Sequence, residues 1–147
     1  MTSLEIWLQQ GWLKRHTASA QELSEQLAAA DRDLEDAHKD LSAAWRFAIA
    51  YTAALRLCGV VLSAAGYRAA REQKHYRTIA AVPLIMGQGL QELSSYLSHC
   101  RSKRHEVTYE SVTSISREES TELIAAAEEL RDMVRDWLAR EHGELAT

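Results

Sequence analysis

From Ala43 to Ala65 the chain is apolar on nearly every helical face, and that stretch constrains the fold more than any other. A segment with no polar side either crosses a membrane or sits inside a bundle with partners all round it. Arg46 and Arg56 interrupt it, together with Thr52 and Ser63. Charges at those depths are costly in lipid, so a buried central helix is expected, with no membrane partner. Gly66 follows directly and supplies the left-handed residue that closes a helix.

A central helix needs amphipathic neighbours, and the flanking sequence offers them. Leu4, Trp7 and Leu8 recur at helical spacing, predicting a short first helix that ends near Gly11. Ser19-Ala-Gln-Glu22 has the spacing of a capping box, and Leu23, Leu27, Ala30, Leu34, Ala37 and Leu41 follow as one apolar stripe. His38 to Ser42 reads as a joint, with Asp40 or Ser42 as the next N-cap. Tyr67 to Lys74 reads as a basic connector. A helix from His75 to Met86 carries Pro83, which should kink or shorten it. Gly87-Gln88-Gly89 is a turn, Leu90 opens a helix toward Arg104 or Tyr109, and Glu110 to Ser114 is a loop. Ser116-Arg-Glu-Glu119 is a second capping box before Leu123, Ile124, Ala127, Leu130, Val134, Trp137 and Leu138. One proline and six glycines in 147 residues leave little punctuation. The expected fold is all-α: one up-and-down bundle of about five to six helices over residues 1–147, with residues 1–18 as a short helix and connector.

The cysteines, Cys58 and Cys100, are far apart and lie in helical stretches, so a disulfide framework is not expected. The first residues show no basic region followed by an apolar one, and a cytoplasmic setting is expected. His99, Cys100 and His105 are close in sequence, but no spacing aligns two ligands on one face, and no metal or other cofactor is expected. Trp7, Trp12, Trp45 and Trp137 are assigned to the core or to an oligomer contact.

The net charge of −4 argues against a general nucleic-acid binder, but its distribution is uneven. Arg68 to Arg104 holds seven basic and two acidic residues, a balance of +5, against −9 for the remainder. A local positive field on an acidic body is compatible with a phosphate-bearing ligand. On a continuous helix, Arg101, Arg104, His105, Thr108 and Tyr109 share an arc of roughly 140°. Guanidinium forks match phosphate oxygens, and His or Tyr stacks on a base or moves a proton. The same residues also suit a solvated helix end whose charges complement the dipole. A second cluster, Tyr67-Arg68-Ala-Ala-Arg71-Glu-Gln-Lys74-His75-Tyr76-Arg77, either lines the same groove or is a solvated loop anchored by its tyrosines.

Three segments in order carry a resemblance. They are Phe47-Ala-Ile-Ala-Tyr51-Thr-Ala-Ala-Leu55, Gly66-Tyr67-Arg68 followed by His75-Tyr76, and the run from Cys100 to Glu110. Together they resemble the HEPN superfamily (higher eukaryotes and prokaryotes nucleotide-binding) over about residues 20 to 142. The likeness is strongest to a bacterial branch whose fourth helix ends in an Arg-Lys-Arg-Asn…Tyr-Glu type of run. HEPN ribonucleases carry Arg followed after four to six residues by His, dimerise, and need no metal: His transfers a proton while Arg stabilises the phosphate. Here Arg101 and His105 have only three residues between them. Arg68 to His75 has the spacing but on the connector, and Arg32 to His38 fits as well, so spacing alone discriminates poorly. His105 and Tyr109 stand where a non-catalytic branch has Asn and Tyr.

The resemblance therefore implies a HEPN module that binds RNA or a nucleotide through Arg101, Arg104, His105 and Tyr109, assisted by Arg68, Lys74 and His75, without cleaving it. The alternative it carries is a metal-independent endoribonuclease toxin, dimeric, with His105 as proton carrier and Arg101 as phosphate stabiliser. A third reading is a protein-interaction partner, an antitoxin or scaffold. The resemblance also implies a homodimer and, as candidate partners, a nucleotidyltransferase or the other half of a toxin–antitoxin pair, with Tyr109 at the position that some relatives have modified with a nucleotide.

Overall fold

The computed structural model describes residues 1–109 and 115–146, with backbone only for 105–109. The expected loop from Glu110 to Ser114, and the side chains of His105 and Tyr109, lie outside the described residues.

Helix α3, Ala43–Ala64, is the axis of the bundle. Ser42 is its N-cap, its hydroxyl accepting from the Trp45 amide at 3.3 Å. Gly66, at φ +98°, reverses the chain after its last turn, as the glycine's position predicted. Phe47, Ala50, Tyr51, Ala54, Leu57, Cys58 and Val61 are buried on it, and four helices cover them: α2 (Ala20–Ala37), α4 (Lys74–Met86), α5 (Gln91–Tyr109) and α6 (Arg117–Glu141). By length and hydropathy α3 would cross a bilayer, but here it is the core helix. Its arginines are tied to α2, Arg56 Nε donating to Asp33 at 2.9 Å and Arg46 Nε to the Ala37 carbonyl at 2.8 Å.

The apolar stripe of α2 faces α3 with Leu23, Leu27, Ala30, Leu34 and Ala37 all buried. Leu41 does not continue it: the helix stops at Ala37, and Leu41 is exposed. Arg46 takes the Ala37 carbonyl that another helical turn would have used. Both predicted capping boxes coincide with helix starts. At Ser19 the hydroxyl accepts from the Glu22 amide at 3.1 Å. At Ser116 the box closes in both directions, at 2.9 and 3.1 Å.

A further expectation needs correction. The connector after Gly66 is not simply a loop, because Tyr67–Ala69 forms a strand, β2, antiparallel to β1 at Leu13–Arg15. Leu13 pairs with Ala69, and both are buried with Leu62 and Ala81 in a small second core flanked by Trp7 and Leu8 of helix α1, Ser3–Gln9. Strands of three residues are too short for any alternation to be read from sequence. Helix α4 ends at Met86, as expected, and carries Pro83 inside it. Proline has no N–H for the Ile79 carbonyl four residues back, and the buried Ser94 hydroxyl of α5 donates to that carbonyl instead, at 3.0 Å. A short 3₁₀ turn, Gln88–Leu90, then leads into α5. Among the described residues the architecture is an all-α bundle of six helices with one minimal β-ladder.

Candidate functional site

Helix α5 buries Leu97 and Cys100 in the main core, which fixes the direction of the two arginines that follow. Arg101 swings over α4, its guanidinium carbon 5.7 Å from the centre of the Tyr76 ring. Arg104 reaches α3, 5.6 Å from the centre of the Tyr51 ring. Aromatic faces attract guanidinium groups, so both side chains are held in place and not left sweeping through solvent.

Tyr51 is the least expected member of this group. It is only 2% exposed, and its hydroxyl has no hydrogen-bond partner among the described residues. Burying a hydroxyl that way costs about 1–3 kcal/mol. Burial pushes the phenol up to about 12, against the opposing pull of Arg101 and Arg104. It is thus neutral at ordinary pH and keeps its proton as a donor. The Nε of Arg101 is likewise buried without a partner among the described residues. The guanidinium groups of Arg101 and Arg104, held over Tyr76 and Tyr51, make a pair suited to an oxyanion.

Lys74 and His75 open α4 on the other side of the same space. Desolvation, then the charges of Lys74, Arg104 and Arg101, hold His75 below its ordinary value. A neutral imidazole among cations accepts a proton or a hydrogen bond readily. Arg71, Gln73, Lys74, His75, Tyr76 and Arg101 line an open hollow of about 340 Å³.

The structure thus brings together Arg101, Arg104, Lys74 and His75 from the two predicted clusters. Arg68, exposed on β2, stands in a neighbouring cavity of about 450 Å³ whose wall also includes Lys74 and His75. Other cations of the basic stretch are used elsewhere. Arg77 lies 4.0 Å over the Trp12 ring, and Lys103 pairs with Glu119 at 2.9 Å. Tyr51 was not singled out as a site residue from the sequence, whereas Arg71 and Tyr76 stood within the second cluster. The available signal for Tyr51 was a polar-tipped aromatic on an otherwise apolar helix.

Cys58 is buried and its thiol is pushed up to about 12 by burial, while Cys100, also buried, rises to about 11. Neither is a nucleophile in that state. No group of three or more potential metal-ligating side chains occurs among the described residues. The tryptophans divide: Trp137 is buried, Trp7 and Trp12 stack edge-on at 6.0 Å, and Trp45 is 67% exposed.

The sequence model of the SAV_6107-like HEPN family matches residues 37–135. The chain belongs to the HEPN family. That match holds every residue of the α4–α5 groove, and HEPN membership connects the chain with nucleotide- and RNA-related function in general. Neither a curated protein nor a solved structure matches it. The α2 wall of the larger cavity, which includes Glu22 and Gln26, lies outside the matched segment of this HEPN chain.

Proposed function

We propose that this HEPN protein binds single-stranded RNA or a nucleotide in the groove between α4 and α5 without cleaving it. The observation that carries the reading is the convergence of Lys74, His75, Arg101 and Arg104 around two tyrosines, one with a buried, unsatisfied hydroxyl. Cations hold the phosphates, and Tyr76 offers a face for a base. His105 and Tyr109 continue the same helix and belong to this proposal. So do a homodimer and a toxin–antitoxin or nucleotidyltransferase partner, which co-purification and sedimentation of the native protein would test.

In a gel-shift assay at low salt, replacing Arg101 and Arg104 together by Ala abolishes the shift of a single-stranded RNA. At intermediate salt, single replacements flatten the slope of log affinity against log salt by about 0.7 for each phosphate left without its cation. Unchanged binding by the folded double variant rejects the groove.

One observation favours a second reading, metal-independent cleavage: an imidazole kept neutral beside guanidinium groups. In that reaction an RNA 2′-hydroxyl attacks the adjacent phosphorus, its proton passes to the imidazole, and the 5′-oxygen leaves as an alcohol after protonation by water. RNA incubated with protein and EDTA decides between the readings, with His75→Ala and His105→Ala alongside. Cleavage lost with either variant makes the protein an enzyme, and intact RNA leaves it a binding module.

A further inference from the structure

Helices α2 and α4 both pack on α3, and the space over α3 between them is the cavity of about 450 Å³. That is within the range of roughly 300–1,000 Å³ common for small-molecule sites. We infer that this cavity takes one nucleoside-phosphate unit, with its phosphate at Arg68 and Lys74, its ring over Gly59 and its polar edge toward Glu22 and Gln26. The inference rests on the proposed groove, because Lys74 and His75 form a wall of both spaces.

Gly59 is the first support. It lies in the interior of α3, where glycine costs about 1 kcal/mol relative to alanine. Neither backbone nor packing requires it: its φ is not positive, and a Cβ built there would meet nothing within 4 Å. The missing side chain instead leaves a smooth floor beside Leu55 and Val60. A flat ring can lie there against the helix.

The two walls supply the second support. Neither Arg68 nor Lys74 is in an ion pair with a carboxylate among the described residues, so both charges stay available. Across the floor, Glu22 is steadied by His16 at 2.7 Å, and the Gln26 carbonyl accepts from Arg56 at 3.3 Å. The Gln26 side-chain amide and the Glu22 carboxylate thus put donors and an acceptor on one wall. An anion-binding end, a smooth apolar floor and a fixed hydrogen-bonding end match a phosphate, a heteroaromatic ring and its polar edge. An alkyl phosphate would leave the Glu22 and Gln26 wall unused. The shared Lys74–His75 wall lets the unit arrive either as a free mononucleotide or as one residue of a strand in the groove.

The test uses the full chain, the four ribonucleoside monophosphates and a ten-residue single-stranded RNA. At least one monophosphate or the RNA is expected to shift the amide resonances of Gly59 and Thr52 in the wild-type protein. A monophosphate that does so identifies the free ligand, and a shift by the RNA alone identifies a strand residue. Gly59→Leu fills the floor and is expected to weaken the bound species at least tenfold, the scale of one lost base stack. The resonance shifts need no variant, so they decide the matter even if Gly59→Leu does not fold. RNA that binds while Gly59 and Thr52 stay unshifted overturns the cavity and leaves the groove standing. A monophosphate that shifts them while RNA fails to bind does the reverse, and no binding of either overturns both.

Discussion

Pro83 and Ser94 form a compensating pair that a double-mutant cycle can expose. The proline removes the donor that would meet the Ile79 carbonyl, and the Ser94 hydroxyl, only 5% exposed as a residue, fills the vacancy at 3.0 Å. In Ser94→Ala the carbonyl is buried without that partner, a cost of about 1–3 kcal/mol. Alanine recovers at most about 0.5 kcal/mol of helix propensity over serine. The net loss is therefore about 0.5–2.5 kcal/mol. At roughly 2.1 cal/mol/K of unfolding entropy per residue, a chain of this length loses about 2–8 °C in Tm. Restoring the amide with Pro83→Ala gives the carbonyl its ordinary helical donor. In that background Ser94→Ala should cost at least about 1 kcal/mol less, a coupling well above the few tenths expected of independent sites. Urea unfolding of the four proteins, followed by circular dichroism, measures the cycle. If Ser94→Ala costs the same with alanine at position 83 as with proline, the hydroxyl is not standing in for the missing N–H.

Tyr51→Phe removes a buried hydroxyl with no partner among the described residues. It should stabilise the protein by about 1 kcal/mol; destabilisation in urea would mean that the hydroxyl is bonded. Gly59→Ala adds a methyl that meets nothing and should raise stability by about 0.5–1 kcal/mol, and a lower melting temperature would show that the glycine is needed by the fold itself. His75 should titrate below the ordinary histidine value of 6.5 in an NMR pH series, and move upward in Arg101→Ala. Because the native value is the lower one, the unfolded chain takes up the proton first. Stability is thus full above about 6.5 and declines as pH falls from there through the native value. A midpoint at or above 6.5 would remove His75 from the cationic cluster.

Periodicity and end signals, which act within a few residues of one another, were enough to define the helices. The all-round apolar run from Ala43, the stripe from Leu23 and the capping-box spacings at Ser19 and Ser116 are local patterns, and each marked a helix, though the stripe stops at Ala37 and leaves out the expected Leu41. The HEPN resemblance was legible for the same reason, being carried by short contiguous runs. Only the tertiary structure decided which charges act together. Arg101, Lys103 and Arg104 stand within four positions on α5, yet one reaches Tyr76 on α4, one Glu119 on α6 and one Tyr51 on α3. Successive side chains leave a helix about 100° apart, so each meets whatever neighbour the bundle has packed on that side. Those neighbours come from distant parts of the chain, as do the β1–β2 pairing and the cavity over Gly59. A sequence read segment by segment holds the local pattern, whereas the groove exists only where α3, α4 and α5 meet.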